Sequence, residues 1–435
     1  MQLSTVCLAR INAARHIYIA YSGGLDSHVL LHICSLNPQI KNKLTAVYVH
    51  HGLQKIADDW AVHCQQQAQQ LNIPFKLLHV NAVHKGKSPE EGARDARYQA
   101  LKALLNEGDV LCVAQHREDQ LETVLLQLFR GAGVQGLSAM AEISSFGQGK
   151  LLRPLLDCSQ QAIKDYAINQ QLNWIEDPSN QCDDFERNFL RNQIIPTLKT
   201  HWQALDKTVA RSAKHCATAQ SLLSELAINL LDKSINLDNS LSISGLLSLE
   251  AAKQQLVIRQ WFAHFNLKMP SVDFIERLFE QVIHAKPSAN PELKRSDCSI
   301  RRYQNKLYCL TQTQRLPTLD SQVWEHTNER LDLKNNGTLQ RFISNNGIPV
   351  SLWESSSISV RYRTGGEKIA LSNRKGHHSL KNLYQEASIP PWEREKIPLL
   401  YFDDKLVAIA DLWVSADVFS DNGNTCYQLN WNRDF

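Results

Sequence analysis

The sequence has 435 residues, about three times the commonest domain size, and its length therefore predicts two or three domains. Hydrophobic residues make up 43% and charged residues 21%, which excludes a disordered, collagen-like or low-complexity protein. The formal net charge of +3 is too small to indicate a nucleic-acid partner by itself, and only local basic clusters could do so.

The cysteine pattern and the hydropathy of the sequence indicate in which cellular compartment the protein is expected. The ten cysteines are scattered without a CxxC motif, and no histidine pair is spaced to complete a zinc site. We expect reduced thiols that are mostly buried. No apolar run approaches the roughly 18 residues of a membrane helix, and residues 1–15 lack the order of a signal peptide. The sequence therefore predicts a cytoplasmic protein that does not enter a membrane.

Apolar runs alternate with amphipathic stretches in the first part of the chain. The runs at residues 17–21, 44–50, 75–80 and 109–115 are typical of buried strands, each followed by a helix. This βαβ rhythm predicts a parallel sheet with helices on both faces. Ligands of such sheets bind beyond the carboxyl ends of the strands, where we expect the chemistry.

The strand rhythm stops after residues 151–156, and residues 160–285 have mostly helical spacing. Residues 355–435 combine short strands with one helix near residues 378–387. We therefore predict an α/β parallel-sheet domain, a helical region and a small α+β C-terminal domain. The predicted bounds are 1–212 (the sheet ending near 156, with a helical extension), 213–315, and 316–435, which includes a linker.

A glycine turn joins the first predicted strand to a helix. It consists of Ser22, Gly23, Gly24, Leu25, Asp26 and Ser27. A glycine turn before a helix N-terminus presents free N–H groups and a positive dipole end to an anion, and phosphate is the expected guest. Asp26 would repel phosphate unless it held Mg²⁺ or oriented the turn. The alternative is a plain strand-to-helix turn capped by Ser27 or Asp26.

A second group of polar residues follows the fourth predicted strand. His116, Asp119 and Glu122 are spaced by three residues, and on a helix the two acids share a face. Two carboxylates there could hold Mg²⁺ or bind a substrate ammonium, whereas His116 is better suited to orient phosphate or Asp119. The alternative is that acids in a first helical turn only complement the helix dipole.

Arginines and lysines form local groups. Arg94 and Arg97 lie one turn apart on a predicted helix and face the crevice if Tyr98 and Leu101 face the sheet. Basic residues are also concentrated in residues 286–306 and 361–381. Arg361 and Arg363 alternate along a predicted strand and would share one face. This pattern favours an RNA backbone footprint, although a solvated face would look similar.

The turn Ser-Gly-Gly-Leu-Asp-Ser at residues 22–27 resembles the signature of the PP-loop ATP pyrophosphatases. Within that superfamily, further motifs resemble the tRNA(Ile)-lysidine synthetase family. These motifs cover residues 49–53, 91–98, 114–123, 130–140, 153–155, 174–180, 187–191, 361–367 and 386–400. The turn alone indicates only the superfamily, whereas the later motifs together are specific.

The resemblance implies that ATP adenylates the C2 oxygen of the wobble cytidine in the CAU anticodon of a minor isoleucine tRNA. The ε-amine of L-lysine then displaces AMP to form lysidine, and pyrophosphate is the other product. ATP and Mg²⁺ are the implied cofactors, and the oligomeric state, including a homodimer, is left open. The family motif has two aspartates where this chain has Glu118 and Asp119, and the role is therefore assigned to Asp119 alone.

The implied site residues fall into four groups. The catalytic group is Asp26, Asp119, Glu122 and Arg97. The ATP-binding group is residues 22–27 with His51 and His116. The tRNA-binding group is Arg94, Arg191, Arg361, Arg363 and Lys368. The candidate Mg²⁺ ligands are Asp26 and Asp119.

Two alternatives were weighed against this assignment. A tRNA thiolase on the same fold would deliver sulfur through cysteines or an iron–sulfur cluster, and the absence of a CxxC motif counts against it. A non-catalytic ATP- or RNA-binding protein would not need Ser22, Asp26, Asp119 and Glu122 together.

Overall fold

The computed structural model describes residues 3–50, 52, 57–80, 89–178, 183–286, 289–311, 319–334, 336–421, 423 and 425–433. The chain forms two compact units, Met1–Leu226 and Ala227–Phe435. Among the described residues, no helix is both long enough and apolar enough to cross a membrane. The cysteines in these ranges are free thiols. The domain bounds expected at 212/213 and 315/316 stay predictions.

The first unit is built on a six-stranded sheet with the order β3-β2-β1-β4-β6-β5. Its strands are β1 (Ile17–Ala20), β2 (Leu44–His50), β3 (Phe75–His79), β4 (Val110–Cys112), β5 (Ile143–Phe146) and β6 (Gly149–Leu152). Neighbouring strands are parallel except that β5 runs antiparallel to β6 at the edge. The predicted parallel sheet is therefore confirmed, and β1 to β4 lie within the four predicted strand runs. The antiparallel edge strand β5 was not predicted.

Helices accompany this sheet in the first unit, and the last of them, α11, extends past the unit boundary at residue 226. They are α1 (Thr5–Ala13), α2 (Leu25–Ser35), α3 (Pro38–Lys41), α4 (Ala57–Gln70), α5 (Pro89–Leu104), α6 (Arg117–Phe129), α7 (Val134–Leu137), α8 (Gln160–Asn169), α9 (Glu186–Phe189), α10 (Ile195–His201) and α11 (Leu205–Asp232). A π-helical segment, Leu190–Ile194, joins α9 to α10. The main core packs α1, α2 and α4 on β1 and β2 through fully buried side chains such as Ile17, Ile19 and Leu30. Burial of these apolar side chains stabilises the sheet that positions the turn after β1.

The second unit begins with helices packed on a four-stranded sheet of order β7-β10-β9-β8. Its elements are β7 (Leu241–Ser242), α12 (Ile243–Leu247), α13 (Ala251–His264), α14 (Val272–Arg277), a π-helical segment (Leu278–Ile283), β8 (Glu292–Lys294), β9 (Cys298–Tyr303) and β10 (Lys306–Thr311). Trp261, Phe262 and Leu278 are fully buried in its core.

The last part of the second unit mixes short strands and helices. Its elements are β11 (Gln322–Val323), β12 (Arg330–Asp332), β13 (Thr338–Ser344), β14 (Ile348–Pro349), α15 (Val350–Ser355), β15 (Ile358–Arg361), β16 (Lys368–Ala370), β17 (His377–Ser379), α16 (Leu380–Glu386), α17 (Pro391–Arg394), β18 (Leu399–Phe402), β19 (Lys405–Ile409), β20 (Trp413–Val414) and β21 (Cys426–Asn432). The two larger sheets have the orders β11-β15-β18-β19-β20 and β12-β13-β21-β14. The predicted fold class, a parallel-sheet domain followed by a helical region and a small α+β part, is confirmed.

An aromatic joint connects these two parts of the second unit. The ring of Trp392, in α17, lies 5.1 Å from that of Tyr308 and 6.3 Å from that of Tyr303, between ring centroids. The guanidinium of Arg301 lies 5.5 Å from the centroid of the indole. Arg394 Nη2 also donates a hydrogen bond to the Tyr303 hydroxyl, at 3.2 Å. Trp392 is buried in this contact, which packs the β9–β10 hairpin against α17.

Candidate functional site

The turn between β1 and α2 leaves the start of the helix open. Gly24 is the N-cap residue, and no side chain caps the first turn. The alternative of a plain turn capped by Ser27 or Asp26 is therefore excluded. The Ser27 hydroxyl donates to the carbonyl of Gly24 at 3.0 Å and lies 3.1 Å from the Ser22 hydroxyl, which fixes the turn internally. The uncapped N–H groups and the positive end of the helix dipole make this terminus suited to an anion.

Gly23 adopts a left-handed conformation, with φ of +80°. A β-carbon at this position would lie 2.7 Å from Ile175 Cδ1 and 2.8 Å from Cys64 Sγ. The carbonyl of Gly23 also accepts a hydrogen bond of 2.9 Å from the backbone N–H of Ile175. The segment after α8 therefore packs directly on the turn, and only glycine fits there without strain.

His116 connects the turn to the acids of α6. Its Nε2 lies 3.8 Å from Asp26 Oδ2 and 3.5 Å from Asp119 Oδ2, and its backbone N–H donates to Asp119 Oδ2 at 2.9 Å. Burial alone would lower the pKa of His116, but the hydrogen bond to Glu118 and the charges of Asp119 and Asp26 raise it above its ordinary value. Burial raises the pKa of Asp26, although the nearby His116 opposes that shift. His116 therefore links two of the predicted catalytic carboxylates.

Glu122 is 1% exposed and is held by two arginines. Its oxygens accept hydrogen bonds from Arg187 Nε and Arg191 Nε, both at 2.6 Å, and from Arg191 Nη2 at 2.9 Å. The same arginines reach Asp119 Oδ1 at 3.0 and 3.3 Å. We call these four residues, Asp119, Glu122, Arg187 and Arg191, the acid–arginine cluster. Both oxygens of the Glu122 carboxylate are therefore occupied by guanidinium groups.

Sequence reasoning gave no role to Arg187, and it assigned Arg191 to tRNA. The signal that could have found them is the pair of arginines four residues apart at 187 and 191, a spacing that places both on one helical face. Glu118, whose role was left in doubt, lies beside His116 Nδ1 at 3.3 Å and accepts the backbone N–H of Gln160 at 2.9 Å. Burial opposes ionisation of Glu118, but these bonds outweigh it and lower its pKa to about 2. Glu118 therefore holds α8 and His116 in place.

The other residues of the first unit that the sequence predicts for the site are on α5 and after β2. Tyr98 and Leu101 pack in the core beside the sheet, and Arg94 lies 5.1 Å from the Tyr98 ring centroid on the exposed side. Arg97, one turn further along α5, is half-buried. His51, predicted to bind ATP, lies outside the described residues.

The basic residues predicted near the C-terminus differ in their partners. Arg361 pairs with Asp404 and stacks on Tyr401, and Arg363 lies 3.8 Å from Glu367. The expectation that the two arginines alternate along one strand is wrong, because β15 ends at Arg361. Lys368 begins β16, is exposed, and has no ion-pair partner within the described ranges.

The residues present were tested for their fit to Mg²⁺, which takes oxygen ligands and often combines one or two carboxylates with substrate phosphates and water. Asp26 fits, because its Oδ1 is buried and has no hydrogen-bond partner in the described structure. Both oxygens of Asp119 already accept hydrogen bonds. Over the described parts of the chain, no group of three or more His, Cys, Asp and Glu side chains could hold a metal ion. A Mg²⁺ ion here would therefore need phosphate oxygens in addition to Asp26.

Comparisons with known proteins identify the family of this chain. Residues 2–198 match a PP-loop domain model, residues 241–308 a TilS substrate binding domain and residues 358–431 a TilS substrate C-terminal domain. A tRNA(Ile)-lysidine synthase of Serratia proteamaculans is 39% identical over 99% of both chains. The chain belongs to the tRNA(Ile)-lysidine synthase family. A second family member, from Yersinia pseudotuberculosis, is 40% identical over 98% of this chain and 97% of its own.

A solved U34-tRNA thiolase of Methanococcus maripaludis is also similar, with 16% identity and a TM-score of 0.39 over 48% of this chain and 77% of its own. That score is too low to carry an argument about activity. Family membership therefore rests on the lysidine synthase relatives, which match this chain across both units.

Proposed function

We propose that this chain ligates L-lysine to C2 of the wobble cytidine in a CAU-anticodon isoleucine tRNA, with release of AMP and pyrophosphate. The observation that carries the proposal is the uncapped turn of residues 22–27 joined through His116 to the acid–arginine cluster, in a chain of the lysidine synthase family. A site for a triphosphate and a site for charged groups thus meet beyond the carboxyl ends of β1 and β4.

ATP would bind with its phosphates at the N-terminus of α2. The backbone N–H groups there, with the Ser22 and Ser27 hydroxyls, can donate to phosphate oxygens and stabilise charge that develops on pyrophosphate. Mg²⁺, when bound, would supply further positive charge at the phosphates, with Asp26 Oδ1 as its protein ligand. Asp119 remains the second candidate ligand.

Lysine must lose a proton before its ε-amine can attack C2, because its ordinary pKa is near 10.4. We propose that the Asp119 carboxylate, rather than that of Glu122, binds the ammonium and accepts its proton. Asp119 contacts both His116 and the arginines, whereas Glu122 is almost completely buried beneath Arg187 and Arg191. Glu122 would then act by holding the two arginines, which are the cations next to the reacting groups. Arg97 remains a candidate catalytic residue on α5.

The tRNA would contact both units. Arg94 on α5 and Arg191 in the acid–arginine cluster are the candidates in the first unit. Arg361, Arg363 and Lys368 are the candidates in the second. Of these three, Lys368 offers the least neutralised charge, since Arg361 and Arg363 already have acidic neighbours.

The test is a product assay with purified protein, ATP, isoleucine tRNA carrying a CAU anticodon, and each of the twenty amino acids in turn. We expect AMP and pyrophosphate release that requires both the tRNA and lysine, with one lysine incorporated per AMP. A matched tRNA with uridine in place of the wobble cytidine is the control and should give no product. Release of AMP with another amino acid, or sulfur incorporation in place of lysine, would contradict the proposal.

A further inference from the structure

Three exposed phenylalanines border the acid–arginine cluster. Phe129, at the end of α6, is 67% exposed, and Phe185 and Phe189, at the two ends of α9, are 43% and 45% exposed. The hydrophobic cluster that packs α6 against the following helical segment contains Leu121, Leu190 and Ile195 but none of these phenylalanines. We call Phe129, Phe185 and Phe189 the phenylalanine face.

The phenylalanines lie on or next to the elements that carry the acid–arginine cluster. Phe185 and Phe189 are four residues apart and lie on the same side of α9, while Arg187 between them points to Asp119 and Glu122. An ion pair of 2.7 Å joins Arg130 to Glu186, the residues that follow Phe129 and Phe185. The three phenylalanines therefore belong to two segments that are tied together beside the cluster.

We propose that the phenylalanine face stacks the unpaired bases next to the reacting cytidine of the tRNA. The proposal rests on the proposed function, in which one base must leave its neighbours to enter the crevice. Bases that lose a stacking neighbour gain from an aromatic surface, and every base has a face that can stack. Arg130 on the same surface is exposed but paired with Glu186, and a phosphate between those bases would have to displace that carboxylate. The aromatic rings are therefore the part of this surface that matches a single-stranded RNA loop.

The test uses the full chain and an RNA hairpin that carries the anticodon loop. Phe185→Leu, Phe189→Leu keeps two apolar side chains but removes the rings, and Phe185→Trp, Phe189→Trp is the matched control that keeps aromatic surfaces. We expect the leucine variant to bind the hairpin about 5- to 100-fold more weakly, and the tryptophan variant to bind within about twofold of the unchanged protein. ATP binding and the thermal midpoint should not change, because both rings are exposed.

A second measurement separates stacking from a general loss of binding. Hairpins that lack the base on one side of the cytidine should bind the unchanged protein more weakly, but should bind the leucine variant no worse than the complete hairpin does. Additive losses, or unchanged affinity of the leucine variant, would overturn the proposal. So would a change of oligomeric state without a change of RNA affinity, which would assign the face to a second copy of the chain.

The results that would contradict the proposed ligase function differ from those that would contradict the stacking proposal. If the unchanged protein binds the hairpin through these rings but releases no AMP with tRNA and lysine, the stacking surface stands and the ligase assignment falls. If it releases AMP and the leucine variant binds RNA normally, the ligase assignment stands and the stacking surface falls.

Discussion

Substitution of Gly23 by alanine should destabilise the first unit. The left-handed backbone at φ +80° costs an alanine about 1 to 2 kcal/mol. The new β-carbon would also lie 2.7 Å from Ile175 Cδ1 and 2.8 Å from Cys64 Sγ. The end of Ile175 can rotate away, but Cys64 is fully buried, and such overpacking costs about 1 to 3 kcal/mol. Because rotation of Ile175 relieves part of the overpacking, we expect a total loss below the upper sum of these costs, about 2 to 4 kcal/mol in the free energy of unfolding.

Hydrogen exchange of the amides in β1 and α2 measures this loss within the first unit alone. A loss of that size corresponds to exchange about 30- to 1000-fold faster in the amides that open only with the unit. Gly24→Ala is the matched control. Gly24 has φ of −73°, and the nearest atom to an added β-carbon is Ser22 Oγ at 3.5 Å. Exchange in the control should stay within about fivefold of the unchanged protein. Equal exchange rates in the two alanine variants would refute the argument from backbone conformation and packing.

Three further predictions concern charge. Asp26→Asn should keep the fold and tRNA binding but lower AMP formation at least about 100-fold, and undiminished turnover would remove Asp26 from the site. Burial and the nearby His63 and His32 lower the pKa of His28 to about 4, below its unfolded value near 6.5. Because the unfolded chain binds this proton more readily than the folded chain, His28 should lower the free energy of unfolding by about 3 kcal/mol as the pH falls from 6.5 to 4. Urea titrations at several pH values should show this loss diminished in His28→Gln, and identical profiles would contradict the burial argument. Lys368→Ala should flatten the dependence of log Kd for tRNA on log salt by about one unit and leave ATP binding unchanged, whereas an unaltered slope would place Lys368 outside the RNA interface.

The sequence was most informative where local pattern determines structure. Buried parallel strands are continuous apolar runs, and β2 therefore has the bounds that its run predicts. The glycine turn could also be located, because a strand, two glycines and a helix start are adjacent in the chain. The alternative of a side-chain cap could be excluded only by the structure, since the sequence does not specify that Ser27 bonds the carbonyl of Gly24 instead of capping the helix.

Long-range pairs were not predictable in the same way. Glu122 lies 65 residues before Arg187, and nothing in either local sequence specifies that the two side chains meet. A buried glutamate such as Glu122 needs a cationic partner for its charge, but the sequence does not identify which cation provides it. The strand predicted to contain both Arg361 and Arg363 is shorter in the structure, where β15 ends at Arg361. Gly365 and Gly366 have φ values of +106° and +89° and turn the chain soon after that strand.

The aromatic joint at Trp392 has a thermodynamic consequence. It packs the β9–β10 hairpin against α17, so that the two parts of the second unit share one buried contact. Unfolding of either part would expose apolar and aromatic surface of the other, and the stabilities of the two parts are therefore coupled.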